Sequence, residues 1–191
     1  MNRLPMRRLL VRGLAATAMA FAATGAAQAA TTVIGASQAT ECAQAAHAGR
    51  SDHNAVALCE GALTDEMLTV RDRAKTLINH GVMMMRQLNW THALSDLDAS
   101  IALQADIGEA YVNRGAVMIG MHRYQEGLDQ IDHGLVLGIE DPAKAYYNRG
   151  LAHEGLENAR DAYLDYQQAV TLAPRWDLPQ QQLLRFTVTR R

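Results

Sequence analysis

Three asparagines set the interval of this chain. Asn79, Asn113 and Asn148 lie 34 and 35 residues apart, and each stands two residues before a glycine, at Gly81, Gly115 and Gly150. A side-chain amide both donates and accepts hydrogen bonds. A row of such amides can grip the main chain of an extended peptide, whatever side chains that peptide carries. The alternative is that each Asn only satisfies neighbouring helix carbonyls or is carried along with its unit. The only two thiols, Cys42 and Cys59, fall symmetrically about the turn Gly49-Arg50-Ser51-Asp52. In an antiparallel hairpin they lie at one height. Ala43, Ala46 and Ala55 let the two helices approach to the ~4.4–6.8 Å between Cα atoms that a disulfide needs. An exported chain forms that bond; a pair of buried free thiols is the alternative.

The remaining chemistry-bearing residues group less well. Met83-Met84-Met85 offers soft thioether sulfur of the kind that suits Cu(I). Met84, however, stands three residues after Gly81, where Met118 and His153 stand after their own glycines, which is a core position. The seven histidines are scattered. His80 and His153 take half-buried helix positions, and His92, His122 and His133 fall near helix starts or outer faces. No pair has metal-ligand spacing with a third partner, so neither a metal nor another cofactor is expected. There is no Gly-x-Ser-x-Gly, no phosphate-cradling glycine loop and no His-Glu-x-x-His, so no catalytic residue is expected and a non-enzymatic role is favoured. Asp96, Asp98, Asp129 and Asp161 read as solvated faces or structural acceptors.

The interval also dictates the elements that must position these residues. The stretches 76–81, 110–115 and 145–150 are three copies of one hexapeptide, and self-similarity at this period means stacked helical hairpins rather than one globular core. Counting from each glycine, a small residue recurs at +12 (Ala93, Gly127, Ala162) and a bulky apolar one at +16 (Leu97, Ile131, Tyr166). A small residue recurs again at +19 (Ser100, Gly134, Ala169). Small residues therefore face each other where two helices cross, and the +16 residue lies on the same face of the second helix. Pro142 and Pro174 are expected to stop that second helix, since proline lacks the donor another turn requires.

This spacing resembles the tetratricopeptide repeat, whose pattern is aromatic or Leu, Gly, aromatic, then Ala, Phe, Ala, Pro. The unit at 143–176 fits most fully. The unit at 108–141 has Gly127 where alanine is usual, and the unit at 74–107 lacks the terminal proline. The resemblance implies an all-α, right-handed solenoid of helical hairpins with a C-terminal capping helix. In that family the first helix of each unit lines a concave surface, so the three asparagines would stand in a row within it. The row is similar to the asparagine ladder of the O-linked N-acetylglucosamine transferase superhelix. It partly matches the carboxylate clamp of chaperone-binding repeats, which Asn113 and Lys144 fit. Ile78 and Val82 stand where that clamp has Lys and Asn, and Asn148 where it has a basic residue. The implied peptide-binding groove is Lys75, Ile78, Asn79, Val82, Met85, Glu109, Val112, Asn113, Ile119, Lys144, Tyr147, Asn148, Leu151 and Glu154. Ile78, Val112 and Tyr147 would flank the amides and supply apolar area.

Outside the three units, residues 1–29 read as a secretory signal. Arg3, Arg7, Arg8 and Arg12 form a basic start, a short Ala-rich run follows, and Ala27-Gln28-Ala29 is a small-x-small cleavage site. The run is too short to span a bilayer, which takes ~20 apolar residues. Sec and twin-arginine export both stay open. Residues 30–40 read as a flexible lead-in. Residues 41–69 form a divergent first hairpin, in which Ala43, Ala55, Cys59 and Ala62 repeat the +0, +12, +16, +19 spacing and Asp52 is an N-cap. Thr64-Asp65-Glu66 would open the next helix, running to Arg86. Residues 177–191 give a capping helix with Leu183, Leu184 and Phe186 on its apolar side, then a polar, basic tail. Such a cap covers the last hydrophobic edge of a repeat stack.

Losing the signal would remove four of 18 basic side chains and none of 20 acidic ones, leaving 14 against 20 and a formal charge of −6. That excludes a nucleic-acid binder of the usual basic kind and leaves no polybasic attraction to anionic lipid. The expectation is a non-enzymatic scaffold or adaptor of the bacterial periplasm that holds a protein or peptide partner in its groove, with no stable membrane insertion after cleavage. A periplasmic enzyme or metal-handling protein using the groove as its site is the alternative. Self-association stays open. For the cysteines, mass spectrometry of non-reduced digests of exported protein should show one Cys42–Cys59 cross-linked peptide, and the bond should contribute about 3 kcal/mol for a loop of this length. Two alkylatable thiols would refute it.

Overall fold

The computed structural model describes residues 37–186. The expected signal at 1–29, most of the lead-in and the tail from 187 lie outside the described residues. The helices are α1 (Gln38–His47), α2 (His53–Asp65), α3 (Val70–Arg86), α4 (Trp90–Leu103), α5 (Gly108–Gly120), α6 (Tyr124–Leu137), α7 (Pro142–Gly155), α8 (Ala159–Leu172) and α9 (Asp177–Leu183). No strand occurs among the described residues. The helices pair as four hairpins, α1–α2, α3–α4, α5–α6 and α7–α8, with α9 laid on α8. Each second helix packs on the first helix of the following hairpin, and the first helices α1, α3, α5 and α7 lie side by side. This is the all-α hairpin solenoid with a terminal cap that the repeat implies.

The small residues make the crossings. A Cβ placed on Gly115 would lie 2.7 Å from the Gly127 carbonyl oxygen and 2.7 Å from the Ile131 side chain. One turn-pair away, a Cβ on Gly134 would meet the Gly108 carbonyl at 2.6 Å. The α5–α6 hairpin thus touches backbone to backbone at two points. The +16 residues fill the space beside each crossing: Leu97, Ile131 and Tyr166 are fully buried. In the first hairpin Cys42 and Cys59 are joined, with Cα atoms 4.9 Å apart. Around them the core is mostly alanine, closed by Met83, whose sulfur lies 3.7 Å from Cys59 Sγ.

Several boundaries differ from the sequence expectation, each for a local reason. Helix α1 begins at Gln38, inside the expected lead-in, because Ser37 caps it and the Glu66 carboxylate accepts from the Gln38 and Ala39 N–H groups. Thr64 and Asp65 close α2 rather than opening α3, whose start is set by Thr69 accepting from Asp72 N–H. Asp52 does cap α2, accepting from Ala55 N–H. Pro142 does not stop α6, which ends at Leu137 with Gly138 at φ +86°. Instead Pro142 opens α7, where its missing donor costs nothing. Ala43 is only half-buried, Cys42 taking the inward place. On α9, Pro179 is buried and Phe186 beyond it stacks near Tyr163 and Tyr166, but Leu184 is 86% exposed and lies off the packed face.

Two recurrent joints were not foreseen. Leu88, His122 and Glu157 all have left-handed φ, near +60°, and occupy the same turn of successive hairpins. The first hairpin uses Gly49 at φ +78° there. In addition, the aromatic residue opening a second helix rests on a glycine ending the next unit's first helix: Trp90 on Gly120, and Tyr124 on Gly155.

Gly115→Ala should destabilise the fold by about 1–3 kcal/mol, because backbone rather than a side-chain tip must move. At Gly81 the nearest atom to an added Cβ is the Leu97 side chain, at 3.2 Å. There the ~1 kcal/mol helix-propensity gain of Ala over Gly should leave Gly81→Ala close to neutral. Urea unfolding of the two variants separates them; equal losses would show that the crossings are alike.

Candidate functional site

Because α3, α5 and α7 are neighbours and carry Asn79, Asn113 and Asn148 at one repeat position, the three amides stand one per helix across adjacent helices. All three are half-buried, and none makes a side-chain hydrogen bond among the described residues. Beside Asn79 opens a depression of about 790 Å³, with walls from α1, α3, the α4–α5 turn and the α6–α7 loop. Of the expected groove residues, Lys75, Ile78, Asn79 and Glu109 line it. A second, shallower depression of about 430 Å³ lies at the other ends of α5 and α7, and takes Ile119, Leu151 and Glu154 together with Arg185.

The rest of the expected set lines neither depression. Val82 and Met85 pack against the core of the first hairpins. Val112 is 6% exposed and belongs to a core cluster with Ile131 and Ala145. Ile78 is 7% exposed, so it floors the first depression without presenting a surface. Tyr147 stacks 4.9 Å from the Trp176 ring and 5.7 Å from Tyr166. Of the three apolar residues expected to flank the amides, two are core and the third serves the cap. Lys144 is solvent-facing and paired with Asp141 at 2.9 Å. On α5, Asn113 stands between Glu109 of the first depression and Ile119 of the second; on α7, Asn148 precedes Leu151 of the second.

The walls include residues that sequence reasoning did not place. Ala39, Thr40, Ala43 and His47 come from the divergent helix α1 with its cap Ser37, Leu137 from the end of α6, and Ile139 and Glu140 from the α6–α7 loop. The signal for α1 was present, since a helix in register as a first helix must line the same surface as α3. Arg71 of α3 reaches Asp106 at 3.1 Å across the depression's edge. The Gln104 side chain and then Arg71 hold the Asp106 carboxyl below its ordinary range, so it is charged at neutral pH.

Behind the amides runs a second polar series, one residue on. His80 Nδ1 lies 2.7 Å from Asp96 Oδ2, Arg114 Nε donates to Asp98 at 2.7 Å, and Arg149 donates twice to Asp165 and once to Asp132. Arg149 also sits over the Tyr146 ring at 5.0 Å. The hydrogen bond to Asp165 is the main reason the guanidinium's proton affinity is raised. Asp96 and Asp98 are thus structural acceptors. Asp165 is buried, an ion-pair partner that the sequence reading left out.

No family model matches the chain. Human sperm-associated antigen 1 is 27% identical over 100 residues, covering 52% of this chain and 11% of that protein. The chain spans about a tenth of the length of the curated relatives it matches. Among solved structures, the Arabidopsis OM64 TPR domain covers 61% of this chain and 96% of its own, at 20% identity and a TM-score of 0.57. The second TPR domain of human RPAP3, in complex with the HSP70 peptide SGPTIEEVD, covers 61% of this chain and 97% of its own, at 18% identity and a TM-score of 0.55. The chain has the tetratricopeptide-repeat fold.

The His80–Asp96 pair generates a pH dependence. The hydrogen bond to Asp96 is the main cause that raises the His80 pKa, and it outweighs the burial that leaves Nε2 without a partner. A raised pKa favours the folded state below the unfolded value of ~6.5, and the gain is lost as pH rises through the higher folded value. The Tm deficit of Asp96→Asn relative to the native chain should therefore be larger at pH 5.5 than at pH 8.5. Equal deficits in thermal melts at the two pH values would show that His80 stays neutral.

Proposed function

We propose that this chain is a non-enzymatic interaction module that holds an extended segment of a partner protein along its concave face. The observation that carries the reading is the row of three amides on neighbouring helices, each half-buried and none hydrogen-bonded within the described residues. A peptide main chain offers alternating donors and acceptors, and an amide row answers both without reading side chains. The fold is shared with an RPAP3 domain solved with a bound peptide, which supports a peptide as the ligand class. A segment internal to the partner suits the site better than a free C-terminus, because Ile78, Val82 and Asn148 occupy clamp positions that require other residue types.

The location proposed is the bacterial periplasm. The signal-like stretch at 1–29 supports it, and so does the Cys42–Cys59 disulfide, a bond that persists in oxidising compartments. Cell fractionation with intact-mass measurement of the released chain tests this. Recovery of full-length, reduced protein from the cytosol would overturn it.

Binding is tested at the middle amide. A photo-crosslinker at Asn113 in cells captures the partner for identification, and affinity is then measured with purified components. Asn113→Ala should leave the helix intact, since Ala is the better helix former. It should weaken binding by about 1–3 kcal/mol, the cost of leaving a buried peptide group unpaired. Asp129→Ala, on an exposed face of α6, should change nothing. Full affinity in Asn113→Ala, or equal losses in both variants, would make the asparagines structural.

A further inference from the structure

The depression beside Asn79 is not electrically neutral. Its charged lining is Arg71 and Lys75 against Asp72, Asp106, Glu109 and Glu140, a net of −2 with His47 neutral. Arg71 and Asp106 cancel each other at 3.1 Å. Asp72 accepts from the Thr69 hydroxyl at 2.6 Å and serves its own helix start. Glu109 uses one oxygen to accept the Glu140 N–H, at 2.9 Å. That bond ties the start of α5 to the α6–α7 loop and leaves the second oxygen open. Glu140 is exposed and has no ion-pair partner among the described residues. The wall built by the second repeat unit is therefore acidic. Lys75, on α3, is the one cation of this lining without an ion pair among the described residues. Between them the floor is apolar, with Leu68, Ile107 and Ile139.

One feature opposes this sign. Helix α5 starts without a side-chain cap, and a helix N-terminus carries roughly half a positive charge. Glu109, in the first turn of α5, answers that charge, and the lining remains negative. The uncapped N–H groups suit a neutral carbonyl of the ligand main chain, which leaves the acidic wall to meet a ligand side chain.

We infer that this end of the groove selects a peptide segment carrying Lys or Arg beside apolar residues, with the cationic side chain against Glu109 and Glu140. The inference rests on the peptide-groove reading above and adds the sign of the ligand. It sets the chain apart from the RPAP3 domain solved with SGPTIEEVD, a peptide with three acidic side chains.

The test uses the purified, disulfide-intact chain and fluorescence anisotropy with three labelled peptides. One is SGPTIEEVD, one has its Glu and Asp replaced by Gln and Asn, and one has them replaced by Lys. All three are amidated at the C-terminus, so that only side chains differ. The expected order of affinity is basic, then neutral, then acidic, at about two- to fivefold per charge, with the gaps closing at high salt. Glu140→Lys and Glu109→Gln should remove most of the preference at an unchanged circular dichroism spectrum, and Asp129→Asn should keep it. Binding of the acidic peptide as well as or better than the basic one, still weakened by Asn113→Ala, would overturn the charge assignment and leave the groove reading standing. No binding of any peptide below about 1 mM, or binding indifferent to Asn113→Ala, would overturn the groove reading and this inference with it. A dimer in sedimentation that Glu140→Lys dissolves would place a second copy of the chain in the groove and overturn a separate partner.

Discussion

The close crossing of the two helices in each hairpin is the constraint on which the rest of this structure depends. Where Gly115 faces Gly127, and Gly108 faces Gly134, no side chain separates the two backbones. Helices that meet this closely leave pockets on either side of the crossing, and Leu97, Ile131 and Tyr166 fill them to full burial. The crossing also fixes how each hairpin presents its outer surfaces to the next one. First helices then fall beside first helices, and a residue repeated once per unit becomes a row across neighbouring helices. The amide series is thus a consequence of the glycine series two residues away. A change in the crossing would disperse the row without touching an asparagine.

The architecture was legible because these requirements are steric and recur. A small residue at a crossing leaves the same mark at Gly81, Gly115 and Gly150, and twelve residues on, so spacing alone recovers the hairpins. The cysteine pair was legible for the same reason, being symmetrical about a turn. What the sequence did not disclose depends on where walls end. Val112 reads as a groove residue by register, yet the α5–α6 hairpin closes so tightly around Gly134 that Val112 becomes core. Leu184 reads as a packed cap residue, yet α9 ends one residue before it. The register of α1 as a first helix was legible, but its early start was not, because it depends in part on Glu66, 28 residues away. The charge of the groove was legible only in part: Lys75 and Glu109 read as groove residues, but Glu140 comes from the α6–α7 loop, outside the repeat register.

The polar series one residue beyond the asparagines shows how one repeat position can do two kinds of work. In the third unit, Arg149 is fastened within its own hairpin through Asp165 and to the preceding second helix through Asp132. In the second unit, Arg114 reaches back to Asp98. In the first, His80 turns inward to Asp96. Fixing these side chains restrains the backbone that carries the neighbouring amide. The polar contacts of His80, Arg114 and Arg149 and the neighbouring amides are parts of one device, in which a fastened side chain steadies the helix that carries an amide left open to a ligand. Removing one of these contacts would leave the amide in place and its aim less certain.

The covalent tie between Cys42 and Cys59 sits at one end of the array and the seven-residue helix α9 at the other. In a stack whose units touch only their neighbours, opening starts at the ends. At the first hairpin, two helices that lose their hydrogen bonds remain joined and cannot separate far. At the far end nothing comparable holds α9. The two ends of the described array are therefore held differently: α1 stays tied to α2 by the Cys42–Cys59 bond, while α9 is held by packing alone. The depression walled in part by α1 and α3 lies at the linked end. The bond limits how far that wall can open, which lowers the ordering cost of peptide capture on the protein's side.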